Sequence, residues 1–228
     1  MSELLRVGPT ATNAELRSLL SGIERQYGPY TLQLRDVRYS NATETIRSGQ
    51  GVPGIRYDAM LSDKYGRHVG TVSNIFYRDP QGRLVVENAD LSLIPKAQGK
   101  GFATTFNASM DQYYRRSGVD RIELQAVDDG GLVWARSGYD YITDDPNLLA
   151  KSRSSIEERI SKIYGKCSDA DKAQLDDFIR RFGTGNPAEY PSPNELASLT
   201  SADPGRGEKV SLGEKLMKTS RWFGMRVL

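Results

Sequence analysis

Leu91-Ser92-Leu93-Ile94-Pro95-Lys96-Ala97-Gln98-Gly99-Lys100-Gly101-Phe102-Ala103 is the most informative run in this 228-residue chain. An apolar-alternating strand meets a proline, then a tight loop with two glycines, then the first residues of an amphipathic helix. Phe102, Phe106, Met110 and Tyr114 recur every four residues along one helix face, and Gly118 follows as a stop. A loop of this kind can cradle a phosphate. Gly99 and Gly101 let the backbone approach an anion without a Cβ in the way, and the helix start offers unpaired N–H groups and the positive end of its dipole. The run lacks the Gly-Lys-Ser/Thr ending of a nucleotide P-loop and does not match the dinucleotide fingerprint.

Upstream of the loop, Ile55–Ser62, Val69–Arg78 and Leu84–Ile94 are rich in β-branched and aromatic residues. They are joined by Asp63–Gly66 and Asp79–Gly82, polar turns ending in glycine, and so predict an antiparallel meander. Before them, Leu16, Leu19, Leu20 and Ile23 predict a helix over Ala14–Tyr27, and Tyr30–Tyr39 alternates like a strand. Downstream, Val119–Val127 predicts a strand, Leu132–Arg136 a short helix and Tyr139–Ile142 an aromatic strand.

Read as one series, these residues resemble the GNAT family of N-acetyltransferases. That family's acetyl-coenzyme A motif runs Arg/Gln-x-x-Gly-x-Gly/Ala, filled here by Gln98, Gly101 and Ala103. Leu91–Pro95 is similar to its fourth strand, Leu124–Val127 to its fifth, and Trp134–Tyr139 to its short helix with the closing Gly-aromatic pair. The resemblance covers about residues 12–142. It implies an α/β (α+β mixed sheet) fold and transfer of an acetyl group from acetyl-coenzyme A, as cosubstrate, to a primary amine. It also implies cofactor-binding roles for Leu91, Leu93, Gln98, Gly99, Lys100, Gly101, Phe102 and Ala103, with the backbone near Leu93 donating to the thioester oxygen.

The expected catalytic residues are Glu87, Tyr139 and Tyr141. Family members often carry a carboxylate base on the fourth strand, and Glu87 occupies that strand. Regular alternation places it on one face with Ala89, Leu91 and Leu93, and Asp90 on the other. The family's frequent tyrosine acid falls at Trp134, whose indole is too weak an acid, so Tyr139 or Tyr141 would have to substitute. The asparagine common after the fifth strand is replaced by Asp128-Asp129-Gly130-Gly131. These departures keep open a second reading, a catalytically reduced GNAT-like binding or assembly module.

Beyond Asp144 the chain turns polar and helical. The expected organisation is a GNAT core over 1–144, a helical and loop insertion over 145–206, and a helix and strand over 207–228 that return to the core sheet. No sheet-closing strand follows Ile142 until Trp222–Leu228.

Composition narrows the rest. One cysteine, Cys167, excludes an internal disulfide and a Cys-based zinc site; a Ser-His-Asp triad or a His-based metal site would have to use the single histidine, His68, which reads as a solvent-facing strand residue. No metal is therefore expected. A net charge of +2 with scattered basic residues gives no nucleic-acid footprint. No apolar run reaches the roughly 20 residues that span a bilayer, and no signal sequence is evident, which favours the cytoplasm. The expected partner is an amine-bearing acceptor (a protein, an aminoacyl-tRNA or a small molecule), and a homodimer is compatible with the reading.

Overall fold

The computed structural model describes residues 11–40, 45–47, 54–201 and 211–228. The chain forms two compact units, Met1–Glu123 with Val227–Leu228, and Leu124–Arg226.

The first unit opens with α1 (Asn13–Leu19), started by a capping box in which Thr12 and Glu15 satisfy each other's backbone amides. The predicted helix over Ala14–Tyr27 is shorter than expected. It gives way to a 3₁₀ turn at Ser21–Ile23 and then to strand β1 (Gln26–Tyr27), which pairs with β2 (Tyr30–Ser40). Gly28, at φ +57°, makes the turn between the two strands.

Strands β3 (Gly54–Ser62), β4 (His68–Arg78) and β5 (Leu84–Leu93) follow as the antiparallel meander predicted from the sequence. Both hairpin turns use one device. The Asp63 carboxylate accepts from the amides of Tyr65 and Arg67, and Asp79 does the same for Gln81 and Arg83. Helix α2 (Phe102–Arg116) comes next, then β6 (Arg121–Ala126). Strand order in this unit is β1-β2-β3-β4-β5-β6.

The four-residue stripe of α2 packs on one sheet face. Phe102, Phe106, Met110 and Tyr114 are all buried, and Phe106 and Phe76 meet the rings of Tyr27 and Tyr114. Within this layer the Asn74 side chain donates to the hydroxyls of Tyr57 (2.7 Å) and Tyr114 (2.9 Å), so its burial is compensated. Where β4 meets β5 the backbones approach closely. A Cβ at Gly70 would lie 2.2 Å from the Ser92 carbonyl oxygen. Gly70→Ala is therefore expected to cost about 1–3 kcal/mol of stability, read from urea unfolding. An unchanged midpoint would mean that the two strands can part there without penalty.

The second unit holds α3 (Gly130–Arg136), β7 (Asp140–Tyr141), α4 (Pro146–Tyr164), α5 (Asp169–Gly183), α6 (Pro193–Ala197), α7 (Leu212–Met217) and β8 (Trp222–Val227). Its strand order is β6-β8-β7, with Asp140 opposite Met225 and Tyr141 opposite Gly224. Within it α6 and α7 contact α3, and α4 contacts α7, so the polar helices share a core with the short helix before them. Ser152 on α4 accepts from the Phe223 amide, and Ser155 from Arg221. Gly131 admits α7 to α3, since a Cβ there would sit 2.2 Å from the Met217 carbonyl oxygen.

The fold is thus a mixed α/β fold. Its elements follow the order implied by the GNAT resemblance, with helices α4–α7 between the last two strands.

Candidate active site

Strand β5 ends at Leu93, a 3₁₀ turn spans Pro95–Ala97, and the loop reaches α2 through Gly101. Gly99 and Gly101 adopt φ +70° and +78°, the left-handed region that favours glycine, and a Cβ at either would meet nothing within 4 Å. The space in front of the loop is therefore open. Gly101 is the N-cap residue of α2, and no side chain caps this end. The first amides of a 15-residue helix are left to an outside acceptor.

The predicted binding residues divide by what their side chains do. Phe102 is buried and stacked on Phe106 at 5.3 Å, so it anchors the helix and only its amide faces the loop chemistry. Gln98 donates from its side-chain amide to the Leu93 carbonyl at 3.0 Å. It ties the loop to the end of β5 and is a brace for the cradle. Lys100 and Gly99 are exposed, and Ala103 is half-buried.

The face expected for Glu87 is corrected by a β-bulge. Asn88 pairs with Asn74 and Asp90 with Ser73, so Ala89 is left unpaired. The extra residue reverses the alternation beyond it. Glu87 therefore shares its face with Asp90 and Ser92, whereas Leu91 and Leu93 lie on the opposite face with Asn74. Asp90, expected on the other side, accepts from Thr71 at 2.9 Å.

Glu87 is 2% exposed and sits in a charged cluster that the sequence did not announce. Its Oε2 accepts from the Ile46 amide at 2.9 Å. Beside it, Glu123 is wholly buried and accepts from Arg47 through two nitrogens (2.8 and 2.9 Å), from Tyr77 at 2.7 Å and from Arg121 at 2.6 Å. Arg121 also pairs with Asp79 at 3.1 Å. Burial pushes the Glu87 carboxyl up to about 7. The Ile46 N–H pulls it down, the Glu123 charge adds to the rise, and Arg56 and Arg47 offset part of it.

Tyr139 and Tyr141, the residues suggested as acids, lie in the second unit. Tyr139 is buried between the Trp134 ring at 5.3 Å and the Arg226 guanidinium at 5.0 Å. The Tyr141 hydroxyl is buried without a hydrogen-bond partner, and burial drives its acidity far below the ordinary phenol range. Trp134 is buried as well. Among the described residues no group of three or more His, Cys, Asp or Glu is poised for a metal ion, and no helix is long and apolar enough to cross a membrane.

The sequence matches no protein-family profile and no curated protein. Among solved structures it is similar to an acetyl transferase from Salmonella typhimurium that modifies the N-terminal serine of ribosomal protein L7/L12. The identity is 15%, over 40% of this chain and 55% of that one, with a TM-score of 0.30. It is similar also to the spermidine/spermine N-acetyltransferase SpeG from Vibrio cholerae (22%, 37% and 49%, 0.29). A third is an acyl-CoA N-acyltransferase from Pseudomonas aeruginosa (20%, 42% and 67%, 0.27). The chain spans about half the length of the first two.

Proposed function

We propose that this chain is an N-acetyltransferase that moves an acetyl group from acetyl-coenzyme A to a primary amine. The observation that carries the reading is the uncapped helix start behind Gly99 and Gly101, an open loop of left-handed glycines at the end of the strand that bears a near-neutral carboxylate. In this reading the amides of Gly99–Ala103 hold the pyrophosphate. The amine nitrogen attacks the thioester carbonyl, its proton passes to Glu87 or to a water that Glu87 orients, the C–S bond breaks, and the coenzyme leaves as a thiolate that takes a proton from solvent.

Acetyl-coenzyme A at about 100 times its dissociation constant should stabilise the protein by about 2.7 kcal/mol, seen as a raised Tm. Gly101→Glu puts a carboxylate where the pyrophosphate would lie and should weaken that binding by about tenfold or more. Gly101→Ala, which carries the backbone strain but no charge, separates repulsion from strain. A folded Gly101→Glu variant with unchanged affinity would remove the cradle from the proposal.

The second reading, a binding module with catalysis reduced, is favoured by one observation: the Glu87 carboxylate is covered by its own chain's Ile46 amide. Thermal stabilisation by acetyl-coenzyme A without turnover of any primary amine in a library would select it.

A further inference from the structure

Residues 45–47 lie against the sheet face that carries Glu87 and are bonded to it at two points, both within the first unit. The Ile46 amide donates to Glu87 Oε2 on β5 at 2.9 Å. One residue on, the Arg47 guanidinium donates to both oxygens of Glu123 on β6, from Nε at 2.9 Å and from Nη2 at 2.8 Å. Strands β5 and β6 are neighbours in the sheet. The two attachments differ in strength. A forked guanidinium–carboxylate pair is charge-assisted and fixed in direction. It is also shielded from water, with the Arg47 side chain 14% exposed and that of Glu123 wholly buried. The amide makes a single contact. Few rotatable bonds separate it from the Arg47 side chain, so the stronger pair sets where the weaker donor sits.

This arrangement opposes the use of Glu87 as a base. A carboxyl 2% exposed offers an amine no approach while residues 45–47 stay in place. The stronger attachment can nevertheless be given up. Arg121 at 2.6 Å and the Tyr77 hydroxyl at 2.7 Å also donate to Glu123, so withdrawal of Arg47 leaves no buried charge without a partner.

We infer that Arg47 is a positioning residue: its pair with Glu123 latches the Ile46 amide over Glu87, and release of that latch uncovers the carboxyl for the acceptor amine. The inference rests on the acetyltransferase reading and adds to it a resting state in which the chain covers its own base.

Amide hydrogen exchange on the full chain, followed by NMR, compares Ile46 with the ladder amides of β3 and β4. In the unmodified protein Ile46 should exchange through a local opening, at a rate that low urea leaves unchanged, while the ladder amides wait for global unfolding. Arg47→Met keeps much of the side chain's length and removes the fork. It should speed exchange at Ile46 about tenfold more than at the ladder amides, the equivalent of one charge-assisted contact. It should also raise kcat/KM severalfold for the primary amine that turns over best in a library, at unaltered coenzyme affinity. Arg47→Lys, which keeps the charge and loses the fork, should fall between. Ile46 exchange that proceeds only by global unfolding in the unmodified protein, or that Arg47→Met leaves unchanged, would overturn the inference whether or not the chain transfers acetyl groups. Faster exchange with lower or unchanged kcat/KM would overturn it too, since that is what a merely structural Arg47 predicts. Faster exchange with no turnover in any of the three proteins would overturn the acetyltransferase reading and leave the latch.

Discussion

Glu87→Gln is expected to lower turnover by about a hundred- to ten-thousand-fold while leaving coenzyme affinity nearly unchanged. The amide keeps the shape of the carboxylate and can still accept from Ile46, but it cannot take a proton. The pH dependence gives a second readout. The folded-state pKa of about 7 lies above the ordinary 4.5, so the base is ionised only as pH rises through neutrality. kcat/KM should therefore climb with pH through about 7 in the unmodified protein, and the glutamine variant should lack that limb.

Stability carries the opposite sign. The fold favours the protonated carboxyl, so its contribution is full below 4.5 and is lost as pH rises through 7. Relative to Glu87→Gln, the unmodified protein should lose stability across that window. A glutamine variant with full turnover and an unaltered acid limb would remove Glu87 from the mechanism.

Glu123→Ala should cost about 3–5 kcal/mol of unfolding free energy, the largest stability effect expected in this chain. The substitution removes the carboxylate that two guanidiniums and a phenol share. Arg121 would retain Asp79, whereas Arg47 and Tyr77 would lose their bonds to Glu123. Glu123→Gln keeps the shape and some of the acceptors, so its loss should be smaller. Denaturant midpoints and m-values at neutral pH measure both. A loss under about 1 kcal/mol for the alanine variant would mean that the cluster relaxes into water and is not a closed network.

Two residues on β6 explain why this cluster was illegible in the sequence. Arg121 and Glu123 alternate with Ile122 and Leu124, the pattern of a strand with one wet face. In the structure both faces are buried, since the charges neutralise one another instead of meeting solvent. Period-two patterning registers polarity and has no term for a charge that finds its partner elsewhere in the fold. The meander, by contrast, was readable because its turns are local. Asp63 and Asp79 bond the amides two and four residues ahead, and nothing distant is needed.

The loop was readable for the same reason: left-handed glycines declare themselves by being glycine. The face of Glu87 was not, because the bulge at Ala89 carries no sequence mark. It follows from how β4 and β5 pair, and one unpaired residue turns the rest of the strand over. Gln98 likewise looked like a ligand contact, and its bond to Leu93 emerges only once the loop is closed. Tyr139 and Tyr141 were proposed for their chemistry, and the pattern gave no sign that both are buried.

The order β6-β8-β7 has a consequence in time. Strands β3 to β5 are neighbours in sequence as in the sheet, and their pairings close over short hairpins. β8 sits next to β7, yet all of Pro146–Met217 lies between them along the chain. During synthesis β7 has no antiparallel partner until residues 222–227 have emerged, so the Trp222 indole cannot yet reach the Gly131 carbonyl. The second unit must therefore wait with an open sheet edge and an exposed aromatic cluster while four helices are made. This is the interval in which a nascent chain is most prone to stick to its neighbours, and the high contact order of this closure makes it the slow step of refolding.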